Sequence, residues 1–174
     1  PYHSFGNGAA MRISAVGFAA RSRNEVKALS RAVTAISHDH PEGLKGAESV
    51  AMAIFLARQS KNKAEIRDYI EQNYYKIGFT LDEIRGTYEF NETCQNTVPQ
   101  AFEAFFEAKD FEDAIRNAVS VGGDSDTLAA ITGGIAEAYF GAPFELRKKA
   151  ERYLENDTFR PIYTWLKRFE KMFP

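Results

Sequence analysis

The sequence predicts an all-α fold, on three observations. Apolar residues recur at helical spacing over most of the chain, no segment alternates as a strand does, and glycines, prolines and aspartates gather in the breaks between helical stretches. The chain has 174 residues, 44% hydrophobic and 13% aromatic, which suffices for one domain with a sizeable core spanning 1–174.

The elements follow in order. Residues 24–36 place Val26, Leu29, Val33 and Ile36 at steps of three and four, the stripe of an amphipathic helix. Residues 47–57 repeat the pattern with Val50, Ala51, Ile54 and Phe55. Residues 101–108 set Phe102, Phe105 and Phe106 on one side, and 111–119 continue after the Lys109-Asp110 break. Residues 127–140 are rich in Ala, Leu and Ile, small enough in places for another helix to approach closely. Near the C-terminus Ile162, Trp165, Leu166, Phe169 and Phe173 form an apolar stripe with Lys167, Arg168 and Lys171 mostly off it. A basic amphipathic helix can lie on a membrane; this terminal one is expected to dock on the domain's own core. About 73–99 is expected to be irregular.

Charge and hydropathy exclude several classes. Lys+Arg number 22 against 24 Asp+Glu, a net charge of -2, whereas a nucleic-acid module carries a basic surplus on one face. Mean hydropathy is -0.39 and no apolar run approaches the roughly 18 residues of a membrane span. Pro1-Tyr2-His3-Ser4 has neither the basic start nor the apolar stretch of a signal peptide. One cysteine, Cys94, cannot form an internal disulfide, which suits a reducing compartment, so a cytoplasmic location is expected.

The loops carry the chemistry. In Gly122-Gly123-Asp124-Ser125-Asp126-Thr127 the glycines permit a left-handed or tight approach, and Asp124 reads as the N-cap of the helix that follows. Alternatively, Asp124 and Thr127 share one side of the first helical turn, with Asp126 reaching the same centre. Two carboxylates and a hydroxyl suit a hard divalent cation such as Mg²⁺. In Ser4-Phe5-Gly6-Asn7-Gly8 the glycines flanking Asn7 are expected to bare backbone amides as a nest for a phosphate, with Ser4 and Asn7 adding donors and Phe5 a stacking face; a plain turn before a helix is the alternative. His38-Asp39-His40 divides between packing or capping and ligand contact by one imidazole, with zinc the least favoured for want of a supporting Cys or third His, and Cys94 reads as a buried, inert thiol.

Taken together, Phe5-Gly6-Asn7-Gly8-Ala9-Ala10-Met11-Arg12, His38-Asp39-His40-Pro41-Glu42-Gly43 with Lys45-Gly46-Ala47, Val98-Pro99 and Gly122-Gly123-Asp124-Ser125-Asp126-Thr127 resemble the ADP-ribosylglycohydrolase family, of the dinitrogenase-reductase-activating glycohydrolase type. Their succession, continued by Ala129-Ala130-Ile131 to Ala138-Tyr139-Phe140-Gly141, makes the match specific. The resemblance implies an orthogonally packed multi-helix domain with a binuclear Mg²⁺ (or Mn²⁺) centre that hydrolyses ADP-ribose from modified arginine or serine side chains or from related esters. Carried over residue by residue, it makes Asp124, Asp126 and Thr127 metal ligands, with Asp124 and Asp126 catalytic. Ser4, Phe5, Gly6 and Asn7 become the diphosphate and ribose loop, His38 a cleft contact, and Gly122 and Gly123 the glycines that let the distal sugar approach.

The chain departs from the family pattern in one respect. The Thr-Asp-Asp metal cluster and the early Gly-Asp motif, which lie N-terminal to the diphosphate loop, have no counterpart here, so the resemblance covers the C-terminal two-thirds of a family domain and the N-terminal helices are missing. The expectation is half a binuclear site that binds at most one divalent ion, weakly. Little turnover by the chain alone is expected, with ADP-ribose or nucleotide binding without cleavage, or a structural relic, as the alternative. Apolar faces left uncovered make a homodimer or domain swap the expected partner state.

Overall fold

The computed structural model describes residues 2–155 and 158–173. Among them are eleven α-helices and one 3₁₀ turn at Cys94–Asn96, and the one β-type pairing is an isolated bridge between Gly6 and Thr93. The all-α expectation holds. The chain forms two compact units, 1–140 and 141–174.

In the first unit α1 (Gly8–Met11) and α2 (Ser14–Ala19) lead into α3 (Arg23–Thr34) and α4 (Pro41–Arg58). Helix α4 is the centre. Val50 to Leu56 are all buried, as are Gly43, Gly46, Ala47 and Ser49, so the helix is covered on every side. It packs against α2, α3 and α9 (Ser125–Phe140). Its start is fixed by Pro41 in the first turn and by His40, whose Nδ1 accepts from the Glu42 amide at 3.1 Å. At its other end Arg58 donates to the carbonyls of Gly17 and Phe18, tying α4 to α2.

Helices α5 (Lys63–Asn73) and α6 (Leu81–Ile84) precede the Cys94–Asn96 turn, and α7 (Val98–Glu107) and α8 (Phe111–Ser120) follow it. Phe102 and Phe105 of α7 are fully buried, and α9 packs on both α7 and α8. Helix α5 opens with a capping box: the Asn62 side chain accepts from the Glu65 amide at 2.9 Å while Glu65 Oε2 accepts from the Asn62 amide at 3.0 Å. Asp110 caps α8 through the Asp113 amide at 2.8 Å.

One stripe read from the sequence turns out differently. Helix α3 ends at Thr34, and Val33 is 49% and Ile36 74% exposed. The face that α3 buries is Val26, Ser30 and Thr34, spaced four apart, because short side chains there let it lie close against α4. The Ser30 and Thr34 hydroxyls are buried without a partner.

The second unit holds α10 (Phe144–Glu151) and α11 (Arg160–Met172), joined by an Arg147–Glu170 pair at 2.9 Å and a Lys167–Glu151 pair. Neither helix buries a residue: Ile162 is 60% and Trp165 68% exposed. Phe169 and Phe173 meet each other at 4.8 Å within the unit. No helix of the described residues is long and apolar enough to cross a membrane.

Candidate functional site

The site is built around Asn7, 7% exposed, the residue just before α1. Its Nδ2 lies 2.6 Å from Asp124 Oδ2, 3.1 Å from Thr97 Oγ1 and 3.2 Å from the Asn91 carbonyl. An amide nitrogen has two hydrogens, so the longer contacts share one and the charge-assisted bond to Asp124 dominates. Thr97 is fully buried, and its hydroxyl donates in turn to the Asn91 carbonyl at 3.1 Å. A strap at 91–97 thus holds the loop at 4–8. The Asn7 amide donates to the Glu92 carbonyl at 2.7 Å, the Cys94 amide to the Phe5 carbonyl at 3.0 Å, and the Cys94 thiol to the Gly6 carbonyl at 3.2 Å.

These bonds revise the nest expected around Asn7. The Gly6 amide is taken by Ser4 Oγ at 3.2 Å and the Asn7 amide by Glu92, which leaves the Gly8 amide as the remaining donor of the turn. Phe5 is 43% exposed, with its ring 5.2 Å from that of His40.

Asp124 and Thr127 are buried at 8% and 6% exposure, whereas Asp126 is exposed. The Leu128 amide donates to the Asp124 carbonyl at 3.0 Å, so Asp124 stands at the N-cap of α9 while its side chain reaches across to Asn7. Gly122 (φ +81°) and Gly123 (φ +59°) are both left-handed. At Gly123 a Cβ would also lie 2.7 Å from the Tyr88 ring, whose hydroxyl donates to the Asn96 carbonyl at 2.9 Å.

His38, 7% exposed, sits between α3 and α4 with Ser37 Oγ 2.8 Å and Arg12 Nη2 3.3 Å from its Nδ1. Burial, and then the Arg12 charge, lower its pKa from the ordinary value, which keeps the ring neutral at pH 7. Of the two histidines in the motif, His40 is the cap and His38 faces the loop. Cys94 is fully buried, and burial pushes its thiol up to about 12.

Sequence reasoning named Ser4, Phe5, Gly6, Asn7, His38, Gly122, Gly123, Asp124, Asp126 and Thr127. The structure brings Asn7 and Asp124 into contact and leaves Asp126 facing solvent. Thr97, Asn91, Tyr88 and Arg12 were missed: polar residues in an irregular stretch or an exposed turn carry no periodic signal, and contact across the fold alone reveals them.

A divalent cation fits this donor set in kind and not in number. Among the described residues Thr127 Oγ1 bonds to the Met11 thioether alone, as a donor at 3.6 Å, so its lone pairs remain available, and Asp124 and Asp126 supply hard oxygens. One Asp124 oxygen is already held by Asn7, and no group of three His, Cys, Asp or Glu is clustered for a metal among the described residues.

The chain is similar to known proteins along most of its length. A family model described as ADP-ribosylglycohydrolase matches residues 1–170. Human ADP-ribosylhydrolase ARH3 is 28% identical over 203 residues, covering 88% of this chain and 56% of that protein. An uncharacterised protein of Archaeoglobus fulgidus is 29% identical over 176 residues, covering 85% of this chain and 52% of its own. A solved structure titled ADP-ribosylglycohydrolase-related protein complex superposes with a TM-score of 0.67 at 25% identity, over 85% of this chain and 58% of that one. The chain thus spans about half the length of the curated relatives it matches. With the family model aligned from the loop of Asn7 through the helix that follows Asp124, the chain belongs to the ADP-ribosylglycohydrolase family.

Proposed function

We propose that this chain carries the ADP-ribose-binding part, and one part of the metal-binding set, of a hydrolase that cleaves ADP-ribose from modified arginine or serine side chains or from related esters. The observation that supports this reading best is the 2.6 Å bond between Asn7 and Asp124, 117 positions apart, which joins the diphosphate-type loop to the acidic motif.

Each residue has a task. The Gly8 amide and the Ser4 hydroxyl face the diphosphate, the exposed Phe5 ring stacks on a ring of the ligand, and His38 contacts it as a neutral imidazole. Gly122 and Gly123 keep side chains away from the distal sugar. Asp124, Asp126 and Thr127 would hold Mg²⁺ or Mn²⁺. When bound, the cation supplies electrostatic stabilisation where charge develops on the ribose. Asp126, whose carboxylate faces solvent, is the candidate to activate water against an oxocarbenium-like centre.

A second reading, ADP-ribose binding without cleavage, draws support from Asp124: one of its oxygens is held by Asn7 rather than left open to a cation. A hydrolysis assay tests whether the chain alone cleaves. The purified chain is expected to release little or no ADP-ribose from ADP-ribosyl-arginine or ADP-ribosyl-serine; robust turnover, lost on Asp126→Asn, would establish the enzyme reading for the chain alone and overturn that expectation. A cytoplasmic setting and self-association through exposed apolar residues such as Val33 and Ile36 complete the proposal.

A further inference from the structure

The groups around His38 favour one ring nitrogen as the carrier of the proton. Arginine donates and never accepts, so a hydrogen bond from Arg12 Nη2, 3.3 Å from Nδ1, makes Nδ1 the acceptor nitrogen. The Ser37 hydroxyl, 2.8 Å from the same Nδ1, then donates to it as well, and Arg12 Nη2 lies 3.4 Å from that hydroxyl. The single proton of the neutral ring is left on Nε2.

That nitrogen faces the loop. A Cβ placed on Gly8 would stand 3.4 Å from Nε2, and one placed on Gly6 would stand 3.6 Å away. No protein acceptor takes the Nε2 proton among the described residues, although His38 is only 7% exposed. A donor held over a glycine turn with no acceptor of its own is arranged for a ligand.

Arg12 is itself held in place. Its Nε donates to the Gly8 carbonyl at 2.7 Å, one helical turn back, and among the described residues no carboxylate forms an ion pair with it. An unpaired guanidinium beside an imidazole works against protonation of the ring. The lowered pKa of His38, from burial first and Arg12 second, agrees with this.

We propose that Arg12 is a positioning residue: with Ser37 it holds His38 as the Nε2–H tautomer, so that the imidazole donates to a phosphate oxygen of a ligand lying on the Gly6–Gly8 turn. The identity of the ligand rests on the function proposed above; the tautomer and its control by Arg12 do not.

The test uses the whole chain labelled with ¹⁵N-histidine, with His38 assigned by difference against a His38→Gln variant. A long-range ¹H–¹⁵N correlation at pH 7 is expected to show His38 with an unprotonated Nδ1 and a protonated Nε2. The opposite tautomer, or an average of the two, overturns the proposal. Arg12→Met removes the donors and keeps the stem, and is expected to give a tautomer mixture and an ADP-ribose affinity in EDTA weaker by about tenfold, the scale of one hydrogen bond. Arg12→Lys restores a donor and is expected to recover most of both. An Arg12→Met chain with unchanged tautomer and affinity contradicts the inference. If the wild-type chain shows the Nε2–H form but binds neither ADP-ribose nor inorganic pyrophosphate, the ligand reading fails while the tautomer control by Arg12 is upheld by the variants.

Discussion

At the scale of single residues, Asn7 joins parts of the chain that lie 84, 90 and 117 positions away. Asn7→Ala leaves the buried Asp124 carboxylate without its donor, which is expected to lower stability by about 1–3 kcal/mol in urea unfolding. Thr97→Val keeps the shape and deletes one hydroxyl, so its loss should be smaller. Equal stability of Asn7→Ala and wild type would show that the bond carries no weight. Cys94 provides a second check. Its thiol is raised to about 12, so it stays protonated, and iodoacetamide at pH 8 is expected to modify it only after unfolding. For a group raised in the fold, the associated stability is complete below the unfolded thiol's pKa and is lost as pH climbs toward the folded value. His38 has the opposite sign: its lowered pKa makes its contribution complete above the ordinary histidine range and lost as pH falls through the folded value. Asn7, Asp124 and His38 were each legible as chemistry-bearing types beside glycines. Their mutual contacts were not, because spacing along the chain says nothing about which loops a helical scaffold brings together.

At the scale of elements, periodicity located the longer helices built on apolar residues and failed where an element is very short or its buried face carries polar types. Of the expected Phe102, Phe105 and Phe106, α7 buries the first two and packs Phe106 half-buried against the core, and α4 contains every expected apolar position of 47–57. Its first two turns were read as a loop because Pro41-Glu42-Gly43 looks like punctuation, although Pro41 begins the helix and His40 caps it. Helices α1 and α6 have four residues each, too few to repeat a period, and α5 buries only Ile66 and Ile70. The α3 stripe was misplaced because Ser30 and Thr34 are polar by type yet face α4. Two substitutions gauge these elements. Ile54→Ala, at a fully buried position of α4, is expected to lower stability by about 2–5 kcal/mol. Asn62→Ala, which removes the α5 capping box, should cost about 1 kcal/mol by the same chemical denaturation. A reversed order would contradict the central role given to α4.

At the scale of the whole molecule, the all-α architecture and the family were legible from the order of motifs. The division at residue 141 and the exposure of the α11 stripe were not, since an amphipathic pattern shows that a face is apolar without showing what covers it. Self-association is expected to appear as a dimer by light scattering at high concentration, and a monomer there argues against it. The proposed ADP-ribose site joins residues 4–8 and 122–127 through Asn7. The direct measurement is a calorimetric titration of the chain with ADP-ribose, once in millimolar Mg²⁺ and once in EDTA. Binding in both buffers, tighter with Mg²⁺ and weakened by Asn7→Ala, is the expected result. No heat of binding in either buffer would contradict the claim.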